Sequence, residues 1–548
     1  MSVFARDMTP TVDLTRNRGT GPVRGRRPLY VDLLPPCNAA CPAGENIQAW
    51  LALAQAGDDR GAWEALIRDN PLPAVHGRVC YHPCETECNR AALDGAVGIH
   101  AVERFLGDRA AERGWPVPVA RASSGRRVLV IGAGPSGLSA AYHLTRLGHR
   151  VVIREAGPLP GGMLHFGIPA YRLPRDVLLT EIGRIERMGV AIELNHRVED
   201  VLAEQRDGRF DAVFVAIGAH LSKRVDIPAH DAVKVLDALS LLRDVDTGAP
   251  PRLGRRVVVY GGGNTAMDAA RTAHRLGAAR TVIVYRRDRA HMPALGFEAD
   301  EALAEGVRIK WLTSIKAIDG AELTVEVMRI DETGRARPTG RFETLRADAV
   351  VLALGQETDS GFLGKVPGIA LQPDGTVAVA PNMMTGRTGI FAGGDMVPGG
   401  RSVTVATGHG RKAARHIDVW LRGAEDARPP KHPGIGFAGL NLPIYADAAR
   451  SAQPETPVSA RGSGFDEVVG GLTWAEAAHE AKRCLSCGNC FECDNCFAAC
   501  PEDAIRKLGP GRRYQIIDDL CTGCAVCVEQ CPCHAMEMVP ETMDRKRP

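Results

Sequence analysis

The chain has 548 residues, a formal net charge of +2 and 45% hydrophobic residues. That length exceeds what one hydrophobic core serves, so several domains are expected. Near-neutral charge gives no electrostatic ground for nucleic acid or an anionic membrane as partner, and no apolar run approaches the roughly 20 residues of a spanning helix. Residues 1–30 read as a flexible basic arm, with six arginines between Met1 and Arg27 and no apolar stretch of the secretory kind. A cytoplasmic location is the expectation. The sixteen cysteines are segregated: five lie between Cys37 and Cys88, eleven between Cys484 and Cys533, and none in between. Disulfide frameworks suit small secreted domains, so this placement points to metal or cluster binding in a reducing compartment.

Residues 31–122 read as a small helical domain. LPPCNAACPAGENIQAWL carries Cys37 and Cys41, and GRVCYHPCETECNR carries Cys80, Cys84 and Cys88. Pro42 after Cys41 suits an iron–sulfur loop, where proline turns the chain away from the cluster. Zinc is the rival, and C-x3-C spacing fits it less well than C-x2-C. With VGIHAVERF at Val97 to Phe105, these residues resemble the N-terminal domain of the glutamate synthase small subunit, shared with dihydropyrimidine dehydrogenase. The resemblance implies a [4Fe–4S] cluster on Cys41, Cys80 and Cys84, with Glu103 as an oxygen ligand. The bland alternative for Glu103 is a solvated helix carboxylate. The family's second cluster uses four cysteines. Cys37 and Cys88 match two of them, and residues 1–36 hold no cysteine for the other pair. One N-terminal cluster is therefore predicted, with Cys37 and Cys88 as buried remnants or as replacements for Glu103.

Next comes RVLVIGAGPSGLSAAYHLTRLGHRVVIRE, Arg127 to Glu155. It reads as strand, glycine turn, helix, strand and carboxylate, the arrangement that binds a dinucleotide. Gly132 makes the turn, Gly134 admits the pyrophosphate, and Gly137 lets helix pack on strand. Pro135 and Ser136 open the helix, whose free N–H groups face phosphate, and Glu155 accepts from a ribose hydroxyl. Gly161 and Gly162 permit close backbone approach, and FGIP at Phe166 to Pro169 resembles the family's segment beside the flavin. DAVFVAIGAH, Asp211 to His220, is a buried strand ending in glycine.

A second unit starts at Arg256, with Gly261 and Gly263 in the turn and Asn264 and Thr265 opening the helix. Its second strand ends in Arg286 and Arg287 where the first unit has an acid. Guanidiniums attract a 2′-phosphate that a carboxylate repels, so this unit suits NADP(H) and the first suits FAD. Solvated loop charges, with NAD(H) as cofactor, are the alternative. HMPA at His291 to Ala294 matches the family's next loop, and His291 reads as a loop histidine rather than a catalytic acid. DAVVLALGQE, from Asp348, is another buried strand. The segment through GGDMVPGGRSVTVATGHG resembles the closing FAD motif of two-dinucleotide flavoproteins. Gly394 and Asp395 would meet the ribitol, and a helix from Val403 would meet the flavin ring. The FAD-binding domain is thus expected at 123–235 and 350–425, the NAD(P)-binding domain at 236–349, and a linker or extended crossing at 426–480.

The tail, 481–548, carries Cys490-x2-Cys493-x2-Cys496-x3-Cys500-Pro and Cys521-x2-Cys524-x2-Cys527-x3-Cys531-Pro. This is the bacterial two-cluster ferredoxin pattern, in which the fourth cysteine of each run ligates the other cluster. One cluster takes Cys490, Cys493, Cys496 and Cys531, and the other takes Cys521, Cys524, Cys527 and Cys500. Cys484-x2-Cys487-x2-Cys490 offers a second register, which the prolines disfavour. Cys484, Cys487 and Cys533 read as structural.

The fold class is α/β: two Rossmann-like dinucleotide-binding domains, preceded by a helical Fe–S domain and followed by a ferredoxin-like domain. The expected cofactors are FAD, NADP(H) or NAD(H), and three [4Fe–4S] clusters. No residue is asked to act as nucleophile or general acid. The expected function is an electron-transfer subunit between NAD(P)(H) and a partner oxidoreductase, with a 2-oxoacid:acceptor oxidoreductase complex favoured. The alternatives are a glutamate synthase small subunit, a stand-alone NAD(P)H:ferredoxin reductase and a non-catalytic scaffold.

Overall fold

The computed structural model describes residues 24–118, 122–223, 227–230, 234–427, 431–462 and 464–541. Short helices build the first domain around the fully buried Trp50 and Trp63. Helices Pro73–Val79 and Ile99–Glu112 cross in close contact through two glycines. A Cβ on Gly77 would sit 2.5 Å from the Arg104 Cα, and one on Gly107 2.4 Å from the Ala74 nitrogen. This crossing brings Cys80, just past the first helix, toward Glu103 in the second.

Two parallel five-stranded sheets follow. The first is ordered Ile390–Ala392, Ala212–Val215, Arg127–Ile131, Arg150–Arg154 and Ala191–Glu193. Its central strands are buried apolar runs rich in valine, as expected of a sheet covered on both faces. The second is ordered Arg308–Lys310, Arg280–Val284, Arg256–Tyr260, Ala349–Leu352 and Lys234–Asp237. Ala349–Leu352 pairs with Arg256–Tyr260, so the strand expected to open the returning FAD segment at 350 belongs instead to the nucleotide sheet. A buried apolar strand carries no mark of which sheet it will join; pairing decides that.

The strands Thr313–Asp319, Glu322–Ile330 and Ala336–Arg346 form an antiparallel meander. Ile315, Leu323 and Val325 pack on Val258, Val284 and Val350 of the second sheet.

The basic arm is shorter than expected. Arg26–Tyr30 is a strand, paired antiparallel with Met536–Pro540 at the far end of the chain. Tyr30 stacks on Tyr514, with ring centroids 6.5 Å apart, and its hydroxyl lies 3.2 Å from the Cys496 sulfur. Two apolar residues beside arginines give a weak strand signal, and the partner that stabilises it lies about 500 residues away. Residues 1–23 of the expected arm lie outside the described residues.

The crossing at 426–480 is bound along its course to the first domain. Glu467 accepts from Arg78 at 2.8 Å and from Arg104 at 2.9 Å. It ends at the helix Trp474–Lys482, which opens with a capping box of Thr473 and Glu476.

Candidate flavin, nucleotide and cluster sites

One cavity of about 590 Å³ collects most of the expected dinucleotide residues. Gly132, Gly134, Pro135, Ser136, Glu155, Gly162, Asn264, Thr265, Gly394, Asp395 and Val403 all line it. Phe166 and Ile168 of the FGIP segment join them. The first glycine turn behaves as its sequence requires. Gly132 has φ +104°, and a Cβ there would meet the Ala216 carbonyl oxygen at 2.5 Å. A Cβ on Gly137 would lie 1.9 Å from the Gly132 oxygen, so this glycine is a packing residue and does not line the cavity. At Gly134 a Cβ meets nothing within 4 Å, because that position faces the open cavity. Glu155 anchors the turn by accepting from the Ala133 nitrogen at 2.7 Å, and its other oxygen accepts from the Gly157 nitrogen.

The residues present fit FAD. Asp395 Oδ1 and Ser136 Oγ are buried at the cavity without a hydrogen-bond partner, as groups awaiting a polyhydroxylated ligand would be. Burial pushes the Asp395 carboxyl up to about 6, against the lowering pull of Arg401. The helix Val403–Arg422 starts at this wall, capped by Ser402, which accepts from the Val405 nitrogen. Its N-terminal turn is thereby aimed at the cavity, where a reduced flavin places negative charge.

The second glycine turn opens on the same cavity through Asn264 and Thr265. Gly261 packs against the returning strand, where a Cβ would lie 2.2 Å from the Ala353 oxygen, and Gly263 has open space. The HMPA loop folds back on this turn: the Ala294 nitrogen donates to the Gly262 oxygen, and the Leu295 nitrogen to Asn264 Oδ1. His291 pairs with Asp288 at 2.7 Å in a half-exposed turn, the loop role expected of it. Arg286 is exposed, and Arg287 Nε is buried without a partner. Neither makes an ion pair among the described residues, so both are available to a phosphate. They stand outside the main cavity.

Sequence reasoning missed three residues at this junction. Tyr81 lines the cavity and accepts from Asn264 Nδ2 at 2.7 Å. Arg172 and Asp268 line it too, paired at 2.7 Å across the two nucleotide domains. No local motif marks them, since their role arises where domains meet.

The first cluster site lies directly behind the flavin wall. Cys41, Cys80, Cys84 and Glu103 face one another in the interior. Glu103 is only 5% exposed, which rules out the solvated alternative. Its Oε1 accepts from Asn70 Nδ2 at 2.7 Å, and the same amide donates to Glu45, a second buried carboxylate that the sequence did not single out. Burial pushes both carboxyls up, Glu45 to about 7 with added repulsion from Asp69, and Glu103 with added repulsion from Glu45. Burial likewise pushes the Cys80 thiol up to about 12. Such a concentration of buried acids suits a cationic iron centre that neutralises them.

In the tail, Cys500, Cys521, Cys524 and Cys527 line a small cavity, and Cys490, Cys493 and Cys496 gather with Cys531. Both sets are those that the ferredoxin spacing pairs. Cys533 is buried, 3.8 Å from the Cys531 sulfur.

A pyridine nucleotide-disulphide oxidoreductase model matches residues 126–410, more than half of the chain. The chain belongs to this family. Residues 30–115 match the dihydropyrimidine dehydrogenase domain II, 4Fe-4S cluster model, and residues 489–535 a 4Fe-4S dicluster domain. The oxidoreductase is 37% identical to the NADP(+)-dependent formate dehydrogenase subunit beta of Moorella thermoacetica, over 82% of this chain and 70% of that protein. It is 34% identical to the NADPH-Fe(3+) oxidoreductase subunit beta of Geobacter sulfurreducens, over 82% and 75%. The glutamate synthase [NADPH] small chain of Escherichia coli K12 is 36% identical, over 71% and 89%. This member of the family is therefore an NAD(P)/FAD iron–sulfur oxidoreductase with cluster modules at both ends. Among the described residues no helix is long and apolar enough to cross a membrane.

The unpaired Asp395 gives a direct test. Asp395→Ala is expected to weaken FAD binding roughly 10- to 100-fold, the range of one hydrogen bond to a charged group. A hydroxyl donating to Asp395 favours the ionised carboxylate, so binding releases a proton below the raised value of about 6. FAD affinity of the apoprotein should therefore climb as pH rises through 6 and level off above it. Flavin fluorescence titration of wild type and Asp395→Asn checks this, the variant showing the flatter profile.

Proposed function

We propose that this chain is the pyridine-nucleotide subunit of a larger oxidoreductase, carrying electrons between NADP(H), FAD and iron–sulfur clusters to or from a partner chain. One observation carries the reading. Cys80 lies between Val79 and Tyr81, both of which line the flavin cavity. Its sulfur accepts from Thr404 Oγ1 at 3.0 Å, one residue past the Val403 that starts the flavin helix. Further along this helix, a Cβ on Gly408 would sit 2.0 Å from the Pro42 oxygen, next to Cys41. One helix therefore touches both the flavin cavity and the cluster loops.

Nicotinamide passes two electrons as hydride, a cluster passes one, and flavin does both, so flavin belongs between them. The chain's own residues supply position and screening: the glycine turns admit phosphate, Asp395 holds a hydroxyl, and the first domain covers the flavin from water.

The partner is proposed to hold its own substrate site and a low-potential metal centre. A formate-type dehydrogenase ranks above the 2-oxoacid enzyme expected from sequence, because the Moorella relative named above, 37% identical over 82% of this chain, is a formate dehydrogenase subunit. Affinity purification of the tagged chain under anaerobic conditions tests this. Recovery of the bare chain, fully active toward ferredoxin alone, would overturn it in favour of a stand-alone reductase.

Preference for NADPH rests on Arg286 and Arg287. Replacing both with alanine is expected to raise KM for NADPH roughly 10- to 100-fold and to change KM for NADH little. Equal effects on the two coenzymes would show that the arginines do not read the 2′-phosphate.

A further inference from the structure

Cys37, Cys88 and the Cys484–Cys487 pair stand far apart in sequence, yet all four cysteines line one small cavity. It has the same volume, about 20 Å³, as the cavity framed by Cys500, Cys521, Cys524 and Cys527. Cys37 faces Cys484, Cys88 and Cys487 together. We infer that these four cysteines hold a further [4Fe–4S] cluster, with ligands shared between the first domain and the segment that precedes the ferredoxin domain.

The backbone supports this independently. In the ferredoxin loop 490–494, the second residue after the first cysteine and the residue after the second are both left-handed: Glu492 at φ 60° and Asp494 at 68°. Loop 521–525 repeats this, with Gly523 at 74° and Ala525 at 68°. Loop 484–488 does the same, with Ser486 at 48° and Gly488 at 75°. Residues with a Cβ adopt this conformation only when something holds them there. The three C-x2-C loops therefore share one wrap, and two of them lie in the dicluster region. Donors also reach the sulfurs. The Ser486 nitrogen donates to Cys484 Sγ at 3.4 Å, as the His82 nitrogen does to Cys80 Sγ, and Asn89 Nδ2 donates to Cys487 Sγ at 3.4 Å. Hydrogen bonds of this kind tune cluster sulfurs.

The loop is clamped in place. Arg483, 1% exposed, donates to the Gly95 and Ala96 carbonyls and pairs with Asp94. Arg90, two residues after Cys88, donates to the Arg483 carbonyl at 2.8 Å. The 484–487 pair thus takes the place of an N-terminal pair that residues 1–36 do not contain.

Position gives the site its use. Cys37 and Cys41 are four residues apart, as are Cys84 and Cys88, so this site adjoins the one behind the flavin. On the other side, the Gly488 nitrogen donates to the Cys533 carbonyl, beside Cys531. Tyr445 bridges the two, its hydroxyl donating to the Leu485 carbonyl at 2.7 Å and lying within electrostatic reach of Cys533, Cys487, Cys484 and Cys531. The site fills the gap between the flavin-side cluster and the ferredoxin domain, and passes one electron at a time between them.

The test is iron, acid-labile sulfide and FAD counted per full-length chain purified anaerobically. Four cubanes give about sixteen irons per FAD, and three give about twelve. The expected result is about sixteen, falling to about twelve in Cys484→Ser/Cys487→Ser with FAD retained. In that variant NADPH should still bleach the flavin, while reduction of the remaining ferredoxin clusters, followed by freeze-quench EPR, slows about 100-fold or more. Twelve irons in the wild type would overturn the assignment, and so would sixteen in the double variant. The count needs no partner chain, so it stands apart from the proposed complex. Should the double variant lose FAD as well, the wild-type count decides.

Discussion

Cys80→Ser is expected to leave NADPH-driven bleaching of the flavin intact and to cut electron delivery to the tail clusters about 100-fold or more. Losing a group that only hydrogen-bonds a metal ligand costs metal sites roughly 10- to 100-fold, and Cys80 is a proposed direct ligand. Its sulfur accepts from Thr404 of the flavin helix, so the proposed cluster on it would be the point where electrons leave or reach the flavin. Stopped-flow absorbance separates the phases. Fast flavin reduction should persist, the slower iron–sulfur phase should collapse, and about four irons should be missing. Loss of the flavin phase together with the cluster phase would show instead that Cys80 holds the cavity wall in place. Thr404→Val supplies a milder companion, because it removes one hydrogen bond to the sulfur and leaves the ligand. It should shift the cluster potential with little loss of iron.

Gly137→Val is expected to yield protein without FAD. The Cβ alone would sit 1.9 Å from the Gly132 oxygen, which is backbone and cannot swing away. Overpacking of this kind costs about 1–3 kcal/mol in an adaptable core, and a strand-to-helix turn has less room to adapt. Gly134→Ala makes the contrast, since its Cβ points into open cavity. That variant should melt near the wild-type apoprotein yet bind FAD poorly, because the methyl occupies space the pyrophosphate needs. Flavin content and thermal unfolding, measured on both, distinguish a packing glycine from an approach glycine. Equal melting temperatures for the two variants would contradict this division.

Much of this was legible in sequence because the chemistry is local. A strand, a glycine turn and a helix fit in about thirty residues, and C-x2-C-x2-C wraps a cluster from one short loop, so both motifs keep their geometry wherever the chain places them. The two sheets, the shared flavin cavity and the ferredoxin ligand sets follow from such units. Other features depended on partners distant in the chain. Arg26–Tyr30 reads as an arm until Met536–Pro540 pairs with it. Ala349–Leu352 reads as flavin-domain strand until its register with Arg256–Tyr260 assigns it to the nucleotide sheet. Tyr81, Arg172 and Asp268 carry no signal because domain contact creates their role.

The cysteines show the division most clearly. Sequence determined how Cys490 to Cys531 are expected to divide into two interleaved cluster sets, because fixed spacing within short loops leaves few ways to arrange the thiolates. Only the tertiary structure set Cys484 and Cys487 against Cys37 and Cys88. That meeting depends on the buried Arg483 docking one end of the chain onto the other, and no spacing rule spans several hundred residues.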